Sequence, residues 1–569
     1  MWTRRSARIR ILSARWPPPS SRAIRRRQSW RAARQDAILA CAKHFAGYSE
    51  TQGGRDASEA DLSHRKLESW FLPPFERVAK EGCGTFMLGY ESIDGVPVTF
   101  NKWLLSDKLR GDWHYQGTLI TDWDNVGRSV WEQKVKADYV HAAADAVKAG
   151  NDLIMTTPKF YEGAIEAVRT GLLDESLIDE AVSRILALKF RLGLFEDPRL
   201  PDQERIKTVI GSKAHQELNL QIARESVALL KNDDALPFSA AAGKRIAVVG
   251  PLADDAQEQL GDWAGNSGQV NWMPDGQPRE MITTVLDGFK QLAPEGCEVV
   301  YSRGANIIDL VDDPEGEFYP DGQPRPKLGV SAKFDQQLLD EAVDNARRSD
   351  LVVAVVGDVV QLVGETCSTA TLELLGGQNA MLEALADVAR ETGKPLVVVL
   401  MSSKPQVMPA CVIGTNGVIV DESTADGVSA FMWAPNPGMR WQAIAEIILG
   451  ETEPSGRLPI TSRVMRASCR SITTRSAAST AIVMPISRRI RRSRSARASA
   501  TRPRIRRTDN HERSGFRHVR HHRYRACRGC AHQHRRAQGH RSSAVVYRRY
   551  RDVLQLDGPR AQSVPARGA

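Results

Sequence analysis

Lysine is missing from both ends of this chain. Residues 1–35 hold eleven Arg and no Lys, Asp or Glu; residues 463–569 hold twenty-eight Arg, no Lys and four acids, Asp509, Glu512, Asp552 and Asp557. The ends therefore carry +11 and +24, which leaves −25 on residues 36–462 although the whole chain sums to +10. No apolar run approaches the ~18–20 residues of a membrane helix, so no membrane partner is expected. No apolar core follows the basic N-terminus, so the reading expects no secretory signal. Eight cysteines are too sparse and irregular for a disulfide scaffold. AVVG (247–250) is not followed by G-x-G-x-x-G, and P-loop, G-x-S-x-G and H-E-x-x-H motifs are missing too. What remains is ordinary globular usage, 42 % apolar and 26 % charged over 569 residues. That excludes a collagen, a coiled-coil rod and a wholly disordered chain, and gives room for more than one core.

The arginine-rich ends admit two readings. Arg neutralises phosphate and stacks on bases, so they could be nucleic-acid-binding tails. Electrostatic tails normally mix Lys with Arg, however, and seven of the twelve His fall within 511–540. Enrichment in Arg, Ala, Ser, Pro and His is what GC-rich DNA yields out of frame. The second reading, frame-shifted ends with no nucleic-acid partner, is the one expected for 1–36 and 464–569. Cys527 and Cys530, followed by His532, His534 and His540, have zinc-ligand spacing. Their flanks are too polar to fold around a metal, so no metal site is expected.

Between the ends the periodicity is regular. A strand is expected at 38–45, ending in Lys43 and His44; 82–95 repeats the pattern as a strand and then a loop with Gly95, 116–127 as a strand with Asp122 just past it, and 149–157 is a fourth. Helices are expected at Leu67–Lys80, Val135–Lys148, Tyr161–Thr170 and Glu175–Phe190. Alternating strand and helix implies parallel strands with right-handed crossovers. Polar residues gather after the strands, where a (β/α)8 barrel places its chemistry: Lys43 and His44, and Asp122. GLFEDPRLPDQER (193–205) reads as a linker. Val-rich strands follow at 244–251, 297–304, 349–358 and 394–403, with helices at Phe334–Arg347 and Gln378–Arg390, a doubly wound α/β pattern.

The segments ACAKHFAGYSETQGGRD, FMLGYESIDGVP, LRGDWHYQGTLITDWDNVG, LKFRLGLFEDP, ARESVALLKNDDALP, KRIAVVGPLAD, VGETCSTATLELLGGQ and GETEPSGRLPIT occur in this order between residues 37 and 463. Together they resemble glycoside hydrolase family 3, the β-glucosidase and exo-glucosidase group. The resemblance implies a partial (β/α)8 barrel over 37–195, a linker over 196–215 and an α/β sandwich over 216–463. Members have roughly the first third of the barrel upstream of the K-H-F motif, where this chain has thirty-six residues of different composition. The usual Gly-Gly before the last sandwich helices is here Arg440-Trp441.

What the resemblance implies is retaining hydrolysis of terminal β-linked glucosyl residues, with a carbohydrate substrate and no cofactor. Its nucleophile matches Asp122 in Thr121-Asp122-Trp123, and its acid/base matches Glu365 in Val363-Gly364-Glu365. Lys43 and His44 match a pair that contacts sugar hydroxyls, and Trp123 would stack on the sugar. Arg55, Met87 and Tyr90 fall near further substrate positions. Such chemistry needs two carboxylates about 5–5.5 Å apart with their pKa values held apart. Lys43 is expected beside Asp122, favouring its ionised form. Bland readings stand beside these. An Asp after a strand is often a helix N-cap, and Asp124 suits that role better than Asp122. Glu365 alone would be a solvated loop acid, and His44 a satisfied core histidine. Cys41, Cys83 and Cys297 read as buried apolar filler. Two alternatives to the glycosidase are a catalytically inactive remnant of the family and an Arg-rich nucleic-acid binder.

Overall fold

The computed structural model describes residues 39–459 apart from 56–57, 199, 262–275, 364–368, 370, 414–426 and 437. The Arg-rich ends, the Cys527–His540 segment and Glu365 lie outside the described residues. No described helix is long and apolar enough to cross a membrane.

The N-terminal part is a piece of parallel barrel. Strands β1 (Cys41–Phe45), β3 (Thr85–Leu88) and β6 (Thr118–Ile120) form one parallel sheet. Its register pairs Cys41 with Thr85 and Thr85 with Thr118. Short strands β2 (Glu59–Ala60), β4 (Ser92–Ile93) and β5 (Val96–Pro97) make a second sheet. Asp94 and Gly95, both with positive φ, turn β4 into β5, the two-residue type I′ chemistry that matches strand twist. The sheet is covered by α1 (Leu72–Lys80), α2 (Asn125–Trp131), α3 (Tyr139–Ala149), α4 (Phe160–Arg169) and α5 (Glu175–Leu192). Phe45, Phe86, Leu88, Leu104, Leu109 and Leu119 are its buried centre.

Two expectations need correction here. The strand expected at 149–157 shrinks to one parallel bridge, Ile120 with Leu153. The Met155 amide donates to the Thr121 hydroxyl at 2.8 Å, so a side chain takes a bond that a ladder carbonyl would accept. Cys41 is exposed and Cys297 half-buried, while Cys83 is buried. Cys41 opens β1, an edge strand of the described three-stranded sheet that pairs on one side with β3. On α5, Val182, Leu186 and Phe190 form an exposed i, i+4, i+8 stripe, the bare apolar surface that a barrel fragment presents.

The stretch 196–215 holds α6 (Gln203–Val209) and the start of α7 (Lys213–Ser226). Asp202 caps α6 by accepting from the Glu204 and Arg205 amides. Then comes a six-stranded sheet: β7 (Ala228–Asn232), β8 (Arg245–Val249), β9 (Glu298–Ser302), β12 (Leu351–Gly357), β13 (Leu396–Met401) and β14 (Ala430–Ala434). The order is β7-β14-β13-β12-β8-β9, parallel except that β7 runs against β14. β10 (Ile308–Val311) and β11 (Leu328–Ser331) form a separate hairpin. Helices α8 (Val285–Leu292), α9 (Gln336–Arg347), α10 (Gln378–Thr392), α11 (Ala410–Ile413) and α12 (Gln442–Leu449) complete the part. Strands β12, β13 and β14 are buried along their whole length, so each is an unbroken apolar run, Val-rich in β12 and β13. One face packs Phe289, Trp441, Ile444 and Ile448; the other packs Met381, Leu382 and Leu385. Trp441 of the Arg440-Trp441 departure thus fills the core. Arg440 reaches Gln216 of α7 at 2.6 Å. A bidentate pair, Arg224 to Glu446, ties α7 to α12.

Strand order reverses between β8 and β12, because β8 leads outward to β9 while β12 leads back through β13 to β14. The carboxyl ends of strands at such a reversal are where open α/β sheets place ligands. Gly357 ends β12 at φ +152, where a Cβ would meet the Met401 carbonyl at 1.8 Å, so only glycine fits there.

Candidate active site

Asp122 lies two residues past the end of β6 and is 7 % exposed. Its Oδ1 accepts from the Tyr90 hydroxyl at 3.0 Å and from the Trp123 amide at 2.8 Å. His44 Nε2 stands 3.2 Å from Oδ2. Burial works against the charged form, but the His44 contact, the Trp123 amide and Tyr90 outweigh it and hold the carboxyl below the usual range. A buried, ionised, well-oriented carboxylate at a strand end can attack an electrophilic carbon.

Each neighbour is placed by its own element. β1 shifts register between Ala42 and Phe45, so two consecutive side chains find partners across the sheet. His44 reaches Asp122, whereas Lys43 Nζ lies 3.9 Å from Met87 Sδ on β3. Lys43 is exposed, and the groups that keep Asp122 ionised are His44, Trp123 and Tyr90. The expectation that Lys43 does so is corrected: the bulge gives that place to the following residue. Tyr90 is buried behind β3, with the Arg128 guanidinium 4.6 Å over its ring. Trp123 is 38 % exposed beside the carboxylate. Arg55 sits exposed where a short 3-10 turn ends, its carbonyl accepting from Ser58, and does not join the groups around Asp122.

Asp124 occupies the N-cap position of α2 but does not cap it with its side chain. Its backbone is left-handed at φ 48, and its carboxylate instead accepts from Trp131 Nε1 at 2.8 Å. Gly127 makes room, since a Cβ there would fall 2.1 Å from Asp124 Oδ1. Burial pushes this carboxyl up, opposed by hydrogen bonds from Trp131 and Thr157. Asp321, on the loop between β10 and β11, adds its charge to the rise. Asp122 and Asp124, two residues apart, are thus shifted in opposite directions.

Sequence reasoning missed Arg128 and the acids of the second sheet. Arg128 lies one turn into α2, on a helix the periodicity did not separate from its loop. Asp358, just past β12, pairs with Lys404 at 2.8 Å and accepts from Gln406 at 2.6 Å. Glu258 lies on the segment after β8 and accepts from the Val360 amide at 2.5 Å. The signal for Asp358 and Lys404 was available: a charge within three residues of the end of each Val-rich run.

A family model described as the glycosyl hydrolase family 3 N terminal domain matches residues 26–188, and one described as the family's C-terminal domain matches 227–485. A partial parallel barrel with an acid at a strand end, followed by a doubly covered sheet, is the two-part α/β class those models describe. The chain belongs to glycosyl hydrolase family 3. It is 30 % identical over 428 residues to a periplasmic β-glucosidase of Salmonella typhimurium, covering 74 % of this chain and 52 % of the relative. It is 32 % identical to a β-xylosidase of Formosa agariphila, with shares of 74 % and 53 %. Among solved structures, a β-glucosidase involved in saponin metabolism from intestinal bacteria is 79 % identical, with a TM-score of 0.72 over 76 % of this chain and 57 % of that one. A Listeria innocua β-glucosidase in complex with glucose is 27 % identical at a TM-score of 0.60, covering 76 % and 52 %. The chain spans about half the length of the curated relatives it matches.

Proposed function

We propose that this protein hydrolyses O-glycosidic bonds to terminal β-linked glucosyl residues by a retaining double displacement. The observation that carries this reading is Asp122, buried yet held ionised by His44, Tyr90 and the Trp123 amide. In this reading Asp122 attacks the anomeric carbon and forms a glycosyl ester. Glu365 protonates the departing oxygen, then takes a proton from water as the ester breaks. Trp123 stacks on the apolar face of the sugar, Lys43 and His44 bind its hydroxyls, and Met87 and Tyr90 complete the wall. The barrel piece, 37–195, supplies the nucleophile and the sandwich, 216–463, the acid/base, so turnover depends on both. The β-glucosidase of saponin metabolism, at 79 % identity, supports β-glucosides as the substrate class.

The test is hydrolysis of an aryl β-glucoside followed by proton NMR of the first sugar released. The expected product is the β-anomer. First release of the α-anomer would mean inversion and would remove Asp122 from the nucleophile's role.

A further inference from the structure

Lys404 follows β13 and turns its ammonium toward the neighbouring strand's end. Nζ lies 2.8 Å from Asp358 Oδ2, 2.9 Å from the Leu362 carbonyl and 3.1 Å from the Thr369 hydroxyl. An ammonium has three donors, and these contacts use all three. Two partners precede residues 364–368 in the chain and one follows them. The backbone of Lys404 is itself fixed: the Ser402 hydroxyl donates to its carbonyl at 2.8 Å and accepts from its amide at 3.2 Å. Ser402 is held in turn by Trp433 Nε1 on its carbonyl at 3.0 Å. On the other side, Glu258 accepts from the Val360 amide. Asp358, Val360 and Leu362 on one side and Thr369 on the other are therefore held from the segment after β8 and from Lys404 after β13, at the point where strand order reverses.

Neutralising Asp358 would need only the first of the three contacts. The bonds to Leu362 and Thr369 bring the two sides of the segment to one atom, and Glu365 lies between them in sequence. We propose that Lys404 is a positioning residue for the acid/base, fixing both flanks of the segment that carries it. This rests on the assignment of Glu365 above.

The full chain is tested as Lys404→Met, Lys404→Arg and Thr369→Val. By hydrogen exchange, Lys404→Met should speed amide exchange in peptides spanning 359–371 and leave the β8 peptides unchanged; this arm needs no turnover. On substrates, it should lower kcat/KM for an alkyl β-glucoside about a hundredfold and that for a dinitrophenyl β-glucoside less than about threefold, since only the poor leaving group needs a placed proton. Lys404→Arg should recover most of the loss. Thr369→Val keeps the Asp358 pair and should show the same pattern at smaller amplitude, so it decides the matter if Lys404→Met does not fold. Glu365→Gln separates the two ideas. Equal loss on both substrates in that variant overturns the acid/base assignment. Leaving-group dependence in Glu365→Gln, with none in Lys404→Met and Thr369→Val, overturns the role of Lys404 alone. Unchanged exchange over 359–371 in Lys404→Met overturns it as well.

Discussion

In the proposed mechanism single residues divide into those that react and those that hold the reacting ones in place. Asp152 is of the second kind. It is buried beneath β6, paired with Arg110 at 2.6 Å and Arg184 at 2.9 Å, and accepts from the Leu119 amide at 2.8 Å. One carboxylate thus joins the helical segment Trp103–Asp112 before β6, the strand itself and α5. Removing it strands Arg110, which is mostly buried, and leaves the Leu119 amide without its partner. Asp152→Ala should cost roughly 3–5 kcal/mol of stability, the usual result of breaking a buried pair from one side. Denaturant unfolding would measure it, and a loss below about 1 kcal/mol would place the pair among ordinary surface bridges. Asp152 was invisible as an anchor in the sequence, because its partners lie 42 and 32 residues away. Asp122 was legible, because its environment is announced locally by Thr121 and Trp123. His44 was legible as a neighbour, but its precedence over Lys43 depends on a register shift that no local pattern encodes.

At the scale of elements, strand interiors were readable and their ends were not. Val-rich β12 and β13 fall within two residues of expectation at each end, since burial on both faces demands an unbroken apolar run. β7, β14 and the β10–β11 hairpin escaped the reading: the apolar residues of β7 and the hairpin are few or mixed with polar ones, as in ALLKN and LGVS, and β14, AFMWA, is apolar throughout but has none of the β-branched residues that marked the other central strands. The expected strand at 149–157 failed for the opposite reason, its ladder being replaced by the Thr121 hydroxyl. Glu258 tests how the segment after β8 is coupled to the turn after β12. Burial pushes its carboxyl up to about 7, with Asp255 and Asp358 adding to the rise and the Val360 amide opposing it. A carboxyl raised on folding stabilises the protein while it holds its proton. That contribution is full below the ordinary value of 4.5 and is lost as pH rises through about 7. Glu258→Gln should therefore flatten the fall in melting temperature between pH 5 and 8 that the natural chain shows. Parallel profiles for the two proteins would show that Glu258 titrates normally.

For the whole molecule, fold class was legible because two periodicities recur in order: strands ending in polar residues, then strands buried throughout. Family membership followed from collinear motifs over 37–463, and the two family models match within 26–485. The extent of the barrel was not legible from periodicity alone. Three parallel strands and one bridge are described, and the Val182, Leu186 and Phe190 stripe on α5 is uncovered. The proposed chemistry nonetheless converges on one strand end. The measurement that tests this most directly is active-site labelling with a 2-deoxy-2-fluoro β-glucoside, which slows breakdown of the covalent ester, followed by peptide mapping. The account predicts the label on Asp122 and its loss in Asp122→Asn, because an amide cannot form the ester. A label on Asp124 or Glu91, or undiminished labelling of Asp122→Asn, would contradict it.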